Sequence, residues 1–498
     1  MKLFKKILIA NRGEIAVRII ESARELGIRT AAVYSEIDLD SYHAALADEA
    51  YCIGESELGD TYLNIDKIVS AAREAGCQAV HPGYGFLAEN HEFVKRCEEE
   101  NLVFIGAGSD VIRLMGNKLQ ARSAVKDMGV PIIQGSSGTP ETLLEECHNL
   151  TYPLLVKAAM GGGGKGMRIV RNEADLEEAL EATSREAEAY FGDGTVYVEK
   201  YIDQPRHIEI QILGDAFGNV IHLFERECTI QRRYQKIIEE TPSPSIEDGV
   251  RMKMGQAAVT IGHTIGYDNA GTVEFLMDRE QNFYFLEMNT RIQVEHPVTE
   301  MTTGVDIVKQ QLLIAAGNEL TLKQDDIKPR GHSIECRIYA EDPLNNFIPS
   351  PGRMTFFKEP KGLWVRNDTC FNCPTEIKSF FDPLISKLIV WAGDRESARK
   401  KMIKALKEYV VHGITTNIHF LQKVLEHEAF IANRVSTHFC DDHRDELVES
   451  LVNEKNEVAE HVPLIGYLLY DLHKTVHSAG RGEETQHDVW RIIGNWRI

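Results

Sequence analysis

The chain has 498 residues, of which 43% are hydrophobic and 26% are charged, and this composition is typical of a globular protein with about three domains. Its net charge of −21 disfavours a nonspecific binder of nucleic acid or anionic membranes, although it allows a locally basic site for a small anion. Its nine cysteines are scattered and no apolar run is long enough to cross a bilayer, so we expect reduced thiols, a cytoplasmic location and no transmembrane helix.

The first 115 residues alternate between short apolar runs and amphipathic segments. The runs KILIA, TAAVYS, QAV and LVFI are predicted strands, and the segment 13–28 has its apolar residues at helical spacing. Alternating strands and helices imply a parallel sheet covered by helices on both faces. Further along, the run RHIEIQILG alternates so strictly that His207, Glu209 and Gln211 are predicted to share one face of a strand.

Four consecutive glycines interrupt the stretch LLVKAAMGGGGKGMRIV at 154–170. Glycine lets a backbone approach a ligand closely, and successive backbone N–H groups can cradle phosphate oxygens, while Lys157 and Lys165 supply positive charge. The spacing is not that of a Walker A loop, and a strand rather than a helix follows, which argues against a dinucleotide-binding turn. A flexible linker is the alternative, but apolar runs abut the glycines on both sides. We predict a glycine-rich hairpin that folds over a nucleotide.

The segment GTVEFLMDREQNFYFLEMNTRIQVEHP at 271–297 predicts a hairpin with a metal-binding pair. With a four-residue loop, Asp278 faces Phe283 and Glu274 lies opposite Glu287. Two carboxylates on one face repel unless a cation lies between them, and Mg²⁺ prefers such oxygen ligands together with substrate phosphates. A five-residue loop would shift the register and break the pair, so the prediction depends on the turn.

Beyond Glu287, alternating positions carry polar side chains that share one face if the chain stays extended. They are Asn289, Arg291, Gln293 and Glu295. The alternative is an ordinary solvated strand face, but such faces favour Lys, Glu and Thr rather than amides beside an acidic pair. Arg291 could fork onto a small anion, and Glu295 could act as a base held close to it.

Several longer motifs resemble the biotin carboxylase family over about residues 3–440. They are IANRGEIAVRI, HPGYGFLAEN, RLMGNK, VKAAMGGGGKGMRIV, VEKYIDQPRHIEIQILGD, QRRYQKIIEE, EMNTRIQVEHPVTEM, ECRIYAEDP and FFDPLISKLI. The resemblance implies an ATP-grasp fold with α/β and α+β parts. Its implied domains are a Rossmann-like N-terminal domain at 1–115, a mobile glycine-rich lid at 130–203, a core at 204–330, a C-terminal biotin carboxylase domain at 331–440 and an extension at 441–498.

The resemblance implies an ATP-dependent ligase reaction. ATP phosphorylates bicarbonate to carboxyphosphate, which collapses to CO₂ and phosphate, and the ureido nitrogen of biotin is then carboxylated. ATP with Mg²⁺ or Mn²⁺ is implied, and biotin is a substrate that arrives on a separate carrier. The implied partners are a biotin carboxyl carrier protein or subunit, a carboxyltransferase subunit, and a second copy of this chain in a homodimer. The final carboxyl acceptor is not implied.

The resemblance also implies roles for individual residues. The implied ATP-binding residues are Lys118, Lys157, Gly162, Gly163, Gly164, Lys165, Gly166, Met167, Glu199, Lys200, Ile202, His207, Gln231, Glu274 and Glu287. The implied metal ligands are Glu274, Glu287 and Asn289, and the implied bicarbonate residues are Lys236, Arg291, Gln293, Val294 and Glu295. The implied biotin residues are Tyr84, Arg337 and Asp382. Among these, the implied catalytic residues are Lys236, Arg291, Glu295 as the base, and Arg337 as the stabiliser of the biotin enolate.

Three details qualify the resemblance. The motif QRRYQK carries Tyr234 where many relatives have histidine, so a phosphate or biotin contact there is not expected to be cationic. Lys253 lies in a Met-Lys-Met sequence like that of a biotin attachment site, but the apolar residues around it have helical spacing, so we do not expect biotin on it. Cys370 and Cys373 have metal-binding spacing without a second pair nearby, which favours a turn with two bystander thiols.

Two other functions stay open: an ATP-grasp ligase that joins a carboxylate to an amine, and a non-catalytic scaffold. The stretches RIQVEHP and ECRIYAEDP argue against the first, and the intact charged residues argue against the second. For the extension at 441–498, one reading is a docking element for a carboxyltransferase or carrier subunit, and the other is a segment packed on its own domain.

Overall fold

The computed structural model describes residues 1–147, 150–158, 167–191, 193–371, 374–454 and 456. Residues 1–444 form one compact unit, and residues 445–454, which belong to a separate unit, are helical. The rest of the predicted extension at 441–498 lies mostly outside the described residues, so neither reading of it is tested. Within the described residues, no helix combines the length and the apolar character needed to span a bilayer.

We describe the unit 1–444 in four consecutive parts, named after the implied domains, whose bounds stay predictions. The first part, the N-terminal domain with the helices that follow it to residue 127, alternates strands and helices as predicted. Its elements are β1 (Lys6–Ile9), α1 (Gly13–Glu25), β2 (Arg29–Tyr34), α2 (Tyr42–Leu46), β3 (Glu49–Cys52), α3 (Ile65–Glu74), β4 (Ala79–His81), α4 (His91–Glu99), β5 (Val103–Phe104), α5 (Ser109–Gly116) and α6 (Lys118–Asp127). The strands form a parallel sheet in the order β3-β2-β1-β4-β5. Strand β3 was not predicted because its sequence EAYC has no apolar run and none of its residues is buried.

The second domain is a four-stranded antiparallel sheet with two helices. Its elements are β6 (Gly135–Gly138), α7 (Pro140–Glu146), β7 (Leu154–Ala158), β8 (Arg168–Val170), α8 (Leu176–Phe191) and β9 (Val196–Lys200). The strand order is β6-β9-β7-β8, and Leu154 of β7 pairs with Val170 of β8. The glycine stretch therefore joins two neighbouring antiparallel strands, as a hairpin requires, but Gly162, Gly163, Gly164, Lys165 and Gly166 lie outside the described residues.

The third domain supplies most of a larger antiparallel sheet. Its elements are β10 (Arg206–Gly214), β11 (Val220–Arg232), β12 (Gln235–Thr241), α9 (Asp248–Thr264), β13 (Asn269–Met277), β14 (Phe283–Asn289), α10 (His296–Thr303) and α11 (Ile307–Ala315). Ile208, Ile210 and Ile212 of β10 are fully buried in a core that also contains Val80 of the N-terminal sheet, which confirms the predicted apolar face. The opposite, polar face of β10 is thereby fixed in position.

The fourth domain extends that sheet. Its elements are β15 (His332–Tyr339), β16 (Glu341–Asp342), β17 (Ile348–Pro349), β18 (Gly352–Met354), β19 (Phe356–Lys358), β20 (Val365–Thr369), β21 (Thr375–Ile377), β22 (Leu384–Ala392), α12 (Arg395–Glu408), β23 (Val410–His412), α13 (Ile418–Glu426), α14 (Glu428–Ile431) and α15 (Phe439–Asp442). The full strand order is β14-β13-β10-β11-β12-β15-β22-β20. The sheet is continuous across the predicted boundary at 330, because β12 pairs with β15.

The loop of the β13–β14 hairpin is longer than predicted. Met277 pairs with Phe283, so the connecting loop is 278–282 and the predicted pairing of Asp278 with Phe283 is wrong. The turn is tied together by Asp278, whose backbone N–H donates to the Asn282 carbonyl at 2.9 Å and whose side chain accepts from the Asn282 backbone at 2.8 Å. These short-range bonds favour the longer loop over the four-residue turn.

A β-bulge then restores the pairing that the longer loop would have broken. Phe275 pairs with Phe285, but the next pair is Glu274 with Glu287, so Leu286 is the extra residue on β14. Without the bulge, Glu274 would lie opposite Leu286. The predicted facing of Glu274 and Glu287 is therefore confirmed, although the loop it assumed is not the one found.

We expect Glu240→Gln to destabilise the fold at neutral pH and much less in acid. The buried Glu240 carboxylate of β12 accepts from His332 of β15 at 2.7 Å and from Arg395 of α12 at 2.7 and 3.0 Å. Burial opposes its ionisation, but these partners lower the pKa of Glu240 from 4.5 to about 2. The stabilisation is therefore fully present above pH 4.5 and is lost as the pH falls toward 2. At about 1.4 kcal/mol per pKa unit, the substitution should cost roughly 3 kcal/mol at pH 7.

Urea unfolding at a series of pH values from 7 to 3 measures this effect. The difference in unfolding free energy between the unmodified chain and Glu240→Gln should shrink once the pH falls below 4.5. Glu280→Gln, at an exposed position in the β13–β14 loop, is the matched control and should change little. A difference that does not vary with pH would contradict the linkage.

Candidate active site

A cavity of about 700 Å³ lies where the second domain, the large sheet and the fourth domain meet. Every described residue predicted for nucleotide, metal, bicarbonate or biotin lines it. These residues are Tyr84, Lys118, Lys157, Met167, Glu199, Lys200, Ile202, His207, Gln231, Lys236, Glu274, Glu287, Asn289, Arg291, Gln293, Val294, Glu295, Arg337 and Asp382. The fold thus brings together residues that lie far apart in the sequence.

One part of the cavity combines an apolar wall with a polar strand edge. The residues of this wall, which were not predicted from the sequence, are Ile133, Leu155, Ile169, Leu276 and Leu286, and we call the space beside them the apolar slot. Beside them the buried Glu199 carboxylate accepts from Lys157 at 2.5 Å and lies 3.3 Å from Arg122. A slot of this kind can hold a planar base against apolar side chains and keep a lysine close to attached phosphates.

The two acidic residues of the hairpin differ in their surroundings. Glu274 is buried, and its carboxylate oxygens lie 2.8 Å from the His207 ring nitrogen and 2.9 Å from the Lys236 ammonium. Glu287 keeps 40% of its side-chain surface open to the cavity, with the Lys118 ammonium 4.0 Å away. Burial and the facing Glu274 carboxylate raise the pKa of Glu287. Paired carboxylates with one member open to the cavity fit a divalent cation, which would remove their repulsion.

Asn289 lies beside this pair but is already engaged. Its amide nitrogen donates to Glu274 at 2.8 Å, and its amide oxygen accepts from Arg291 at 3.0 Å. The amide oxygen of Asn289 has a second lone pair, so Asn289 could bind a cation through this oxygen while the bond from Arg291 is kept.

Lys236 of β12 is the central cation of the cavity. Its ammonium bonds to Glu209 at 2.6 Å, Glu274 at 2.9 Å and Glu295 at 2.7 Å. Burial alone would lower the pKa of Lys236, but the three carboxylates raise it well above its ordinary value. Behind them the fully buried Arg226 donates to Glu209 at 2.5 Å. No role was predicted for Glu209 or Arg226, although the polar face predicted for β10 was a usable signal for Glu209.

The chain after Asn289 does not stay extended, so that part of the prediction is wrong. Strand β14 ends at Asn289, and helix α10 begins directly after Glu295 with Pro297 in its first turn. Proline suits a first helical turn and cannot continue a paired strand. The polar side chains converge all the same, since Arg291 donates to the Gln293 amide oxygen at 2.8 Å.

Glu295 and Arg337 form a second charged pair in the cavity. The Arg337 guanidinium donates to Glu295 at 3.0 Å and to Glu239 at 2.6 Å. Burial opposes ionisation of Glu295, but Lys236 and Arg337 hold the pKa of its carboxyl well below the ordinary range. Burial raises the pKa of Glu239 to about 7, with the Glu295 charge adding to the effect and Arg337 opposing it. Glu295 is therefore an ionised acceptor held between two cations.

The predicted biotin residues come from opposite ends of the chain. Tyr84 follows β4 in the N-terminal domain, and its hydroxyl donates to Glu14 at the start of α1. Burial and the Glu14 charge raise the pKa of Tyr84 well above its ordinary value. Asp382 precedes β22 and accepts from the Leu384 backbone at 2.9 Å. The two residues meet Arg337 only in the cavity.

Tyr234 occupies the tight turn between β11 and β12. Arg232 pairs with Gln235, and the two turn residues Arg233 and Tyr234 have φ values of +50° and +63°. The Tyr234 side chain is 58% exposed and lines the cavity. Tyrosine in place of histidine at position 234 therefore alters the exposed lining of the cavity and not its buried charged residues.

Two sequence features lie away from the cavity. Lys253 is exposed on helix α9, as the apolar spacing predicted, and is not on the β-hairpin that a biotin attachment site needs. Cys370 is partly buried, and burial raises the pKa of its thiol to about 12, but Cys373 lies outside the described residues. The interpretation of this pair as bystander thiols stays a prediction.

Family models match three consecutive parts of the chain. The biotin carboxylase N-terminal domain matches residues 3–112, the ATP-binding domain of the carbamoyl-phosphate synthase L chain matches 117–323, and the biotin carboxylase C-terminal domain matches 335–442. An ATP-binding domain whose cavity is completed by domains on both sides defines an ATP-dependent ligase with the ATP-grasp fold.

Three relatives are matched over nearly their whole length. Biotin carboxylase 1 of Bacillus subtilis is 51% identical over 443 residues, which is 88% of this chain and 98% of that protein. The biotin carboxylase of a Nostoc species is 50% identical over 439 residues, 88% of this chain and 98% of that one. The biotin carboxylase domain dimer of Hydrogenobacter thermophilus 2-oxoglutarate carboxylase, solved with MgADP and bicarbonate, has a TM-score of 0.85 at 47% identity over 90% of this chain and 99% of its own. This chain belongs to the biotin carboxylase family.

Proposed function

We propose that this chain uses ATP to carboxylate biotin carried on a separate protein, with bicarbonate as the source of the carboxyl group. The observation that carries the proposal is the single cavity that joins an apolar slot, an acidic pair and an ionised carboxylate between two cations. In the reaction, bicarbonate takes the γ-phosphoryl group of ATP to give carboxyphosphate and ADP. Carboxyphosphate then breaks down to CO₂ and phosphate beside biotin.

The nucleotide fits the end of the cavity that is lined by apolar residues. Its base would lie against these side chains near Glu199 and Lys200, and its phosphates would extend toward Lys118 and Lys157. Glu274 and Glu287 would hold Mg²⁺ or Mn²⁺, which supplies positive charge to the phosphates when bound. These roles follow from the position of each side chain in the cavity and from the chemistry of its ligand atoms.

Bicarbonate fits beside Glu295. Lys236, Arg291 and Gln293 place positive charge and N–H groups around this region, and their bonds to Glu295, Asn289 and Glu274 hold them in position. The three N–H groups of Lys236 already have carboxylate acceptors, so Lys236 would exchange one of them for the anion. Glu295 would remove the bicarbonate proton, since its partners keep it ionised and its oxygens share the space that the anion would occupy. The resulting dianion is the stronger nucleophile toward the γ-phosphorus.

Biotin fits between Tyr84, Arg337 and Asp382. The phosphate released from carboxyphosphate would take the proton of the ring nitrogen, and this nitrogen would then form its bond to CO₂. The Arg337 guanidinium would stabilise the negative charge that develops on the ureido oxygen in this step. We further propose that the assembly contains a carrier protein, a carboxyltransferase and a homodimer of this chain, in the cytoplasm. The proposal leaves the final acceptor to the carboxyltransferase partner, which would select it.

The test is ADP release from MgATP in the presence of bicarbonate and biotin, with each component omitted in turn. We expect full turnover only when all three components are present. Removal of divalent cations with a chelator should stop turnover, and added Mg²⁺ or Mn²⁺ should restore it. A biotinylated carrier should be used at far lower concentration than free biotin, because the carrier adds binding contacts.

Two outcomes would contradict the proposal. ATP binding without turnover, even with a biotinylated carrier, would favour a scaffold. ADP release that does not depend on biotin but increases with another amine or carboxylate would favour a different ATP-grasp ligase.

A further inference from the structure

Lys387 of β22 is a buried cation that lies behind the cavity wall. Its side chain has no exposed surface. It pairs directly with Arg337 on β15 and with Asp368 on β20, and directly paired residues project from the same face of a sheet. A second buried cation is therefore placed next to Arg337, where like charges repel.

The Lys387 ammonium contacts three groups from separate parts of the chain. It donates to the Val294 carbonyl at 3.0 Å, and it lies 3.1 Å from a Glu14 oxygen and 3.7 Å from an Asp368 oxygen. Burying such a charge is costly, and a well-packed apolar side chain often stabilises a fold as well or better. Stability alone therefore gives a weak reason for a lysine at this position.

The first contact fixes the segment that carries the proposed base. Val294 immediately precedes Glu295, and its carbonyl belongs to the peptide unit that links the two residues. A bond from a rigid central strand to that carbonyl limits rotation of the peptide. It thereby sets where the Glu295 side chain begins, between Lys236 and Arg337.

The second contact reaches the proposed biotin site. Glu14 faces Lys387 with one carboxylate oxygen and accepts the Tyr84 hydroxyl with the other. The position of Tyr84 in the cavity thus depends on Glu14, and the position of Glu14 depends on Lys387. One ammonium is connected to the bicarbonate end and to the biotin end of the same cavity.

We infer that Lys387 is a positioning residue that holds Glu295 and Tyr84 in a fixed spatial relation. The inference rests on the proposed function, because it assigns a common support to the base and to the biotin tyrosine. Lys387 itself touches neither substrate in this arrangement. Its effect passes through the Val294 carbonyl and the Glu14 carboxylate.

The test compares Lys387→Met, Lys387→Arg and Glu14→Gln in steady-state kinetics. Lys387→Met should lower kcat/KM for both bicarbonate and biotin by about 10²-fold, because a misplacement of about 1 Å can cost this much. The KM for ATP should not change. Lys387→Arg keeps the charge and donors and should recover part of the loss. Glu14→Gln leaves the bond to Val294 and should lower kcat/KM for biotin alone.

Arg399→Met is the matched control for a purely structural effect. Arg399 is a buried cation on α12 that donates to the Leu425 carbonyl at 2.9 Å, outside the cavity lining. The Arg399→Met substitution should lower the melting temperature without changing kcat/KM for bicarbonate or for biotin. Lys387→Met would overturn the inference if it behaved in the same way. Should that variant fail to fold, unchanged constants in both Lys387→Arg and Glu14→Gln would overturn it.

A crystal structure of Lys387→Met gives a readout that does not depend on activity. Displacement of residues 293–295 and of Tyr84 relative to the unmodified chain is expected, and unmoved positions would contradict the inference. If the unmodified chain cleaves no ATP with bicarbonate, the proposed function fails. The crystallographic comparison would then decide the role of Lys387 by itself.

Discussion

Glu295→Gln is expected to reduce bicarbonate- and biotin-dependent ADP release by about 10²–10⁴-fold, the usual contribution of a positioned general base. Glutamine keeps the shape of the side chain, but Lys236 and Arg337 donate to different oxygens of Glu295, and the single amide oxygen can keep only one of these two bonds. It cannot take the proton of bicarbonate. Because the apolar slot lies at another part of the cavity, affinity for ATP should be preserved.

Initial rates with varied bicarbonate, together with ATP binding by calorimetry, measure this effect. Glu335→Gln is a matched control, since Glu335 is a fully buried carboxyl on the neighbouring β15. Burial raises the pKa of Glu335 well above its ordinary value, so an amide closely resembles its neutral form. Equal losses in the two variants would show that Glu295→Gln acts through packing and would contradict the assignment of Glu295 as the base.

Arg337→Met is expected to abolish most biotin carboxylation while sparing the step before it. Loss of a donor that stabilises developing negative charge typically costs about 10²–10³-fold. Lys236 still bonds to Glu295 at 2.7 Å, so the carboxylate should stay ionised without Arg337. Slow ATP cleavage with bicarbonate but without biotin should therefore continue.

The measurement is ADP release with and without biotin, together with carboxybiotin formation from labelled bicarbonate. Arg395→Met provides the control, because Arg395 is a partly buried arginine paired with Glu240 outside the cavity lining. If biotin-free ATP cleavage fell as far as carboxylation did, Arg337 would act mainly through Glu295 and not on biotin.

Alternation along strands was the strongest signal in the sequence. It placed Ile208, Ile210 and Ile212 in the core, and it predicted that Glu274 and Glu287 face each other. The second prediction held for a reason that the sequence did not reveal. The five-residue loop and the bulge each shift the register by one residue, and the shifts cancel. Both depend on local hydrogen bonds that are not apparent in the pattern of apolar residues.

The buried charged residues that hold the cavity-lining side chains in position were not predicted. Arg226 lies between Glu225 and Glu227, and Glu239 precedes Glu240, so nothing in their spacing separates a buried charge from an exposed one. Their importance arises from partners that are distant in sequence, such as Glu209 and Arg337. The apolar slot was missed for the same reason, because an aliphatic residue that lines a cavity has the same pattern as one in the core.

The bulge at Leu286 and the five-residue loop 278–282 are linked, because the chain between Glu274 and Glu287 has a fixed length. If a substitution removed the bulge without removing a residue, Glu274 would lie opposite Leu286, and Glu287 would move to the opposite face of the sheet. If the turn tightened to four residues while the bulge persisted, Glu287 would again lose its partner. Substitutions that change the turn are therefore tolerable only with a compensating change at the bulge, whereas deletion of one loop residue leaves Met277 opposite Phe283 and keeps the acidic pair.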